Sequence, residues 1–330
     1  MRDRSAVLLL VLTACRASPS SGEHDARPAR VTADAAPSAA VVMDASPAAA
    51  GSSAPALSAR GQGVLQRSLD DRTALVGRVV RGHPATRVVD GTFLLVAGER
   101  DAPLEAATKV AQDTVTALFH GALGHRSERA FVVWVFGKPA TCASFLTSRV
   151  AGAEPARLAH VDSGAQEVFV CTGGPEGVAA IAPAIARVLF AADFPHAPAW
   201  LTRALVSLFD PPFFEPAGEL HGKADAGLQV VRARLASPDG RATIGLGAVL
   251  KLEPEQLTGP YGDLTRAMGR EALRWLDAQH HLWDFYGEWR ARFRGDDPPQ
   301  SALQYVLHET VEEASAEWIA WLGSLEAERP

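Results

Sequence analysis

Ten histidines and three cysteines are the scarcer of the side chains with which this chain could hold a metal or act as a nucleophile. The densest candidate is His308-Glu-Thr-Val-Glu-Glu313, in which His308 and Glu312 stand four apart and would share one helix face. A zinc site on such a helix takes two histidines at that spacing, and the second is missing. Thr310 followed three residues later by Glu313 fits a capping box, so the segment is read as the opening of a last helix. His280 and His281 are adjacent, about 100° apart on a helix, and cannot easily ligate one ion. His196 stands alone in a loop and is read as solvated. The chain has no Gly-x-Ser-x-Gly elbow, Thr172-Gly173-Gly174 is too short for a phosphate loop, and Gly61-Gln62-Gly63 follows no strand. On this reading no catalytic residue, metal ligand or cofactor site is expected.

The cysteines divide into one and two. Met1 to Cys15, "MRDRSAVLLLVLTAC", has an Arg-bearing start and an apolar run from Ala6 to Leu12, then Leu12-Thr-Ala-Cys15. The run is shorter than the roughly 20 residues that span a bilayer, and it fits the h-region of an export signal. Leu-small-small-Cys resembles a bacterial lipobox, whose cysteine thiol takes the lipid and becomes the first mature residue; a secretory signal with an incidental cysteine is the alternative. Arg16 in place of an aspartate points to the outer membrane by analogy with Gram-negative sorting. Export also means an oxidising compartment, so Cys142 and Cys171 either form a disulfide or remain two separate buried thiols. A net charge of −6 argues against nucleic acid as a partner.

Elements must position whatever chemistry there is. Residues 16–62 are rich in Ala, Ser, Pro and Gly without apolar periodicity, which predicts a disordered tether of roughly 35–40 Å r.m.s. span. From 63 to 174 the patterning predicts a sheet with helices. Arg87 to Gly98 reads as a strand pair or one bent strand around Asp90-Gly91, "FVVWVF" as a central strand, and "QEVFVC" as another strand. From 175 to 330 almost every apolar repeat is helical. The fold class expected is therefore α+β, a small mixed sheet with helices followed by an all-helical half.

Within that half, Pro183 to Phe209 makes two helices in tandem, the second opening Pro198-Ala-Trp200-Leu201. A proline at 183 costs about 3 kcal/mol inside a helix, so the first helix either kinks there or begins there. On residues alone these are two core helices. In the order "FVVWVFGKPATCASF", "QEVFVCTGG", "PAWLTRALVSLF", "EWIAWL", the region from about Arg87 to Leu325 resembles the peptidase MA-like domains of the gluzincin zinc metallopeptidases. In that family a strand and helix lead to an edge strand, here "QEVFVCTGG", then to a His-Glu-x-x-His helix and a Pro-x-Trp-Leu-x-Glu-Gly helix.

The resemblance puts the first histidine at Pro183, the general base at Ala184, the second histidine at Arg187 and the third ligand at Arg203, with Ala204 in the glycine's place. None of these side chains can bind zinc or take a proton from metal-bound water. The resemblance thus implies a catalytically inactive relative that holds a peptide or envelope protein in the old substrate cleft; a hydrolase with a rearranged metal site is the alternative. If Arg187 and Arg203 converge where zinc would sit, they make an anion site for a carboxylate or phosphate. Otherwise they pair with acids such as Asp193 or Asp210, or reach solvent.

Overall fold

The run Phe131–Phe136 is buried at every position, as a strand covered on both faces must be. In the computed structural model, which describes residues 55–152, 159–173, 176–215, 218–241, 243–292 and 299–325, this run is the middle of a five-stranded sheet. Cys15 and the tether up to residue 54 lie outside the described residues. The tether expected to reach 62 gives way earlier to helix α1 (Ala59–Val79), because the Ser58 hydroxyl accepts the Gly61 N–H and caps it. Strands β1 (Thr86–Val89) and β2 (Phe93–Ala97) are an antiparallel pair turning at Asp90 and Gly91, both at positive φ, so of the two expectations the strand pair holds. Helix α2 (Leu104–Gly121), β3 (Phe131–Phe136), α3 (Pro139–Arg149), β4 (Ala159–Asp162) and β5 (Glu167–Cys171) complete this half.

The strand order is β1-β2-β3-β5-β4, with β2, β3 and β5 parallel and β1 and β4 antiparallel at the rims. Period-two alternation divides the strands cleanly. Phe93, Leu95, Val133, Val135, Val168 and Val170 join the core shared with α2 and the helical half. Leu94, Val96, Val132, Trp134, Phe136 and Phe169 join a second core under α1 and α3. One expectation is corrected here. The segment "QEVFVCTGG" is not the edge strand, since β5 lies between β3 and β4 and is wholly buried; the edge is the polar β4. Cys142 of α3 and Cys171 at the end of β5 form a disulfide inside the second core, with Cα atoms 5.6 Å apart.

The helical half begins with a 3₁₀ turn, Glu176–Ala180, that runs into α4 (Ile181–Asp193). Pro183 therefore falls in the first turn of α4, where its missing N–H would have had no intrahelical partner. The α-helix thus starts two residues before the proline, close to the expected start. There follow α5 (Ala199–Leu208), a hairpin of β6 (Phe213–Phe214) and β7 (Leu220–His221), α6 (Ala226–Leu235), short α7 (Pro238–Arg241) and α8 (Leu246–Val249), α9 (Gly262–Ala278), α10 (Leu282–Arg292), α11 (Pro299–Leu307) and α12 (Val311–Ser324). The hairpin is an addition to the helices that periodicity predicted.

Helix α9 is the axis of this half: Ala267 to Asp277 are all buried, and α5, α6, α8, α10 and α12 pack on it. At Gly269 a Cβ would come 3.4 Å from the Ala204 methyl, so the glycine permits the close approach of α5 and α9. Three buried charges on α9 satisfy one another: Glu271 accepts from Arg274 at 2.7 Å and from Arg270 at 3.2 Å, and Arg270 also meets Asp225 at 3.0 Å. Among the described residues no helix is long and apolar enough to cross a membrane.

Candidate functional site

Helix α4 lies beside the edge strand β4, and α5 follows α4 after a short turn. Between them opens a groove of about 450 Å³, lined by β4 from Ala159 to Val161, by Pro183, Ala184 and Arg187 of α4, and by Val206 and Asp210 of α5 and its C-terminal turn. Pro183 and Arg187 stand four residues apart and Ala184 and Arg187 three, so all three reach the same groove. Three of the four positions singled out by the resemblance thus share one groove. Sequence reasoning missed His160, which carries no signal in the short polar run Ala159–Asp162, and considered Asp210 only as a partner for an arginine.

The fourth position does not join them. Arg203 is exposed and lines a separate small cavity of about 40 Å³ with Trp200, Ser207, Thr265, Arg266 and Gly269. The expected two-arginine anion site at Arg187 and Arg203 is therefore corrected: only Arg187, also exposed, lines the groove. The physical reason is the α5–α9 contact, which turns the Trp200–Arg203–Ala204 face of α5 toward α9. Asp193, offered as a partner for these arginines, is buried and engaged elsewhere. It accepts the Gly124 N–H at 2.9 Å, the His125 N–H at 2.6 Å and the Tyr286 hydroxyl at 2.8 Å, and it pairs with Arg290. Burial and the adjacent Asp193 charge push the Tyr286 hydroxyl far above the usual phenol range.

The groove holds a mixed set of charges. Partial burial pushes the Asp210 carboxyl up, with Arg270 pulling it back and Asp225 adding to the rise. Its lining offers a metal one imidazole, His160, and one carboxylate, Asp210. A catalytic zinc site takes three protein ligands. What the groove can do is accept an extended chain: among the described residues β4 pairs only with β5, which leaves its other edge for main-chain hydrogen bonds. Arg187 is the cation on the groove's lining.

The remaining histidines separate. His196 is exposed, as expected of a loop residue. His280 and His281 line different cavities, and His281 shares a shallow depression with His308. Thr310 and Glu313 make the capping box of α12, with the Glu313 N–H on the Thr310 hydroxyl at 3.2 Å and the Thr310 N–H on the Glu313 carboxylate at 2.9 Å. Comparison with protein-family models gave no match, and comparison with curated proteins gave none either.

Proposed function

We propose that this chain is a lipid-anchored protein of the cell envelope, held through Cys15, whose folded part is an inactive relative of the gluzincin peptidases and binds an extended segment of a partner protein. The observation that carries the reading is the shared groove: Pro183, Ala184 and Arg187 line it together with strand β4, the edge of the sheet among the described residues. A pyrrolidine ring, a methyl group and a guanidinium stand where the resemblance requires two imidazoles and a carboxylate. On this reading the groove seats a peptide strand and lacks the atoms that would cut it. The outer membrane is the expected site of the anchor.

Two experiments test this reading. Replacing Cys15 with serine should move the protein from the membrane pellet to the soluble periplasmic fraction; retention in the pellet contradicts lipid anchoring. Peptides selected from a random library against the purified protein should bind at the groove and lose roughly tenfold or more in affinity on Arg187→Glu, about 1.4 kcal/mol. Arg187 is exposed, so the charge reversal leaves the core intact. Selected peptides that bind the variant as tightly as the parent would remove the groove from consideration.

A further inference from the structure

A second cavity, of about 360 Å³, shares no lining residue with the groove. Its walls include His120 of α2, Glu219 and His221 of the β6–β7 hairpin, and Asp277 and His280 at the end of α9. Three imidazoles and two carboxylates in one cavity are chemistry that the groove reading leaves unused.

The hairpin explains how the donors meet. Phe213 pairs with His221 and Phe214 with Leu220, and the Glu215 N–H then donates to the Glu219 carbonyl at 2.8 Å. Side chains two apart on a strand share a face, as do residues directly across a pair, so Glu215, Glu219 and His221 project together. Gly218, at φ +87°, lets the chain turn back within so few residues. The His221 Nε2 lies 3.3 Å from a Glu219 carboxylate oxygen and 4.0 Å from one of Glu215, and the three donor atoms all fall within 4.8 Å of one another. Four ligands at zinc–nitrogen and zinc–oxygen distances stand about 3.3 Å from each other around a tetrahedral ion. The His221–Glu219 spacing already matches, and Glu215 lies 4.0 Å from His221 and within 4.8 Å of Glu219, so a shift of at most about 1.5 Å brings it to the same distance from both.

The other ring nitrogen supplies an independent indication. His221 Nδ1 lies 3.2 Å from both oxygens of Asp277, a buried carboxylate also held by the Gly222 N–H at 3.1 Å. A carboxylate on one imidazole nitrogen fixes the tautomer and aims the other nitrogen at a metal. Here the aimed nitrogen faces two carboxylates, an arrangement that either a proton on the imidazole or a metal ion between them satisfies.

We propose that Glu215, Glu219 and His221 form a binding site for a divalent transition-metal ion, zinc by its donor set, with Asp277 as a positioning residue and the cavity holding His120 and His280 open to the ion's remaining position. A protonated His221 held by the same carboxylates is the rival occupant.

The test uses the full-length chain, stripped with chelator and dialysed against ZnCl₂, with zinc counted by mass spectrometry and Co²⁺ substituted for the visible spectrum of its coordination. One equivalent of zinc should be retained, with Co²⁺ bands of a low-coordinate nitrogen–oxygen site. His221→Gln should lose the equivalent and the bands. Glu215→Gln, at an exposed side chain that does not threaten the fold, should weaken retention at least tenfold. Asp277→Asn should weaken it by 10- to 100-fold while leaving the stoichiometry at one. His308→Ala and Arg187→Glu should change nothing, which separates this site from the depression at His308 and from the groove. No retained metal, or an equivalent that survives both His221→Gln and Glu215→Gln, overturns the proposal and leaves the proton as occupant.

Discussion

Asp193 ties α4 to the segment after α2 and to α10, and its removal should be among the costliest single changes in the chain. The carboxylate sits at the end of α4, fully buried, and serves two backbone N–H groups just after α2 and two side chains of α10. Asp193→Ala leaves the Gly124 and His125 N–H groups, the Tyr286 hydroxyl and the Arg290 guanidinium without that acceptor. Breaking a buried ion pair from one side costs about 3–5 kcal/mol. Each orphaned donor adds about 1–3 kcal/mol where water cannot reach it. Arg290 keeps 20% of its side chain exposed and recovers part of its hydration, so the lower ends of these ranges apply and the expected loss is about 6 kcal/mol in all. Asp193→Asn keeps one acceptor oxygen and should cost less, and Tyr286→Phe, which deletes a single bond to a charged group, about 1.5–3 kcal/mol. Urea unfolding followed by tryptophan fluorescence measures all three, and the order Ala, Asn, Phe is as much a part of the expectation as the magnitudes. A loss below about 1 kcal/mol for Asp193→Ala would show that the network does not hold α4.

Two further outcomes follow from the same coordinates. The disulfide joins residues 29 apart in sequence, and closing a loop of that length removes about 3–4 kcal/mol of unfolded-state entropy; Cys142→Ala with Cys171→Ala should lower the urea midpoint accordingly, and reductant should bring the parent down to the variant's midpoint, while equal midpoints in oxidant refute the bridge. At the capping box, the Thr310 N–H and then the Thr310 hydroxyl hold the Glu313 carboxyl below its ordinary 4.5, so its contribution is full above that pH and fades as pH falls through the lower folded value. The stability gap between parent and Glu313→Gln should therefore be flat at neutral pH and close in acid; a gap that widens in acid reverses the sign of the argument.

Strong local signals in the sequence became structure directly. The unbroken run Phe131–Phe136, the Asp90-Gly91 turn and the Thr310–Glu313 box each depend on neighbours in sequence, and each is formed. Pro183 likewise announced a helix start within a turn of its place. What stayed hidden was short or was set by packing. Strand β4 is four half-buried residues, with polar His160 and Asp162 breaking any apolar run, so no strand is legible there and the resemblance puts the edge at β5 instead. Strands of two residues give no period, and the Glu215–Glu219–His221 cluster was invisible until the hairpin folded them onto one face. In hindsight Gly218 between two glutamates and a histidine was the available sign. The side of α5 on which Arg203 lies depends on where α9 packs, which no local spacing records.

The central claim is that the groove beside β4 seats an extended peptide and does not cut it. Amide hydrogen exchange of the protein with a selected peptide, read together with the peptide's mass after incubation, tests both halves at once. The account predicts new protection concentrated in Ala159–Asp162 and in the first turns of α4, lost on Arg187→Glu, with the peptide recovered intact. Protection confined to other elements, or a peptide recovered in fragments from a protein preparation free of contaminating protease, would contradict it.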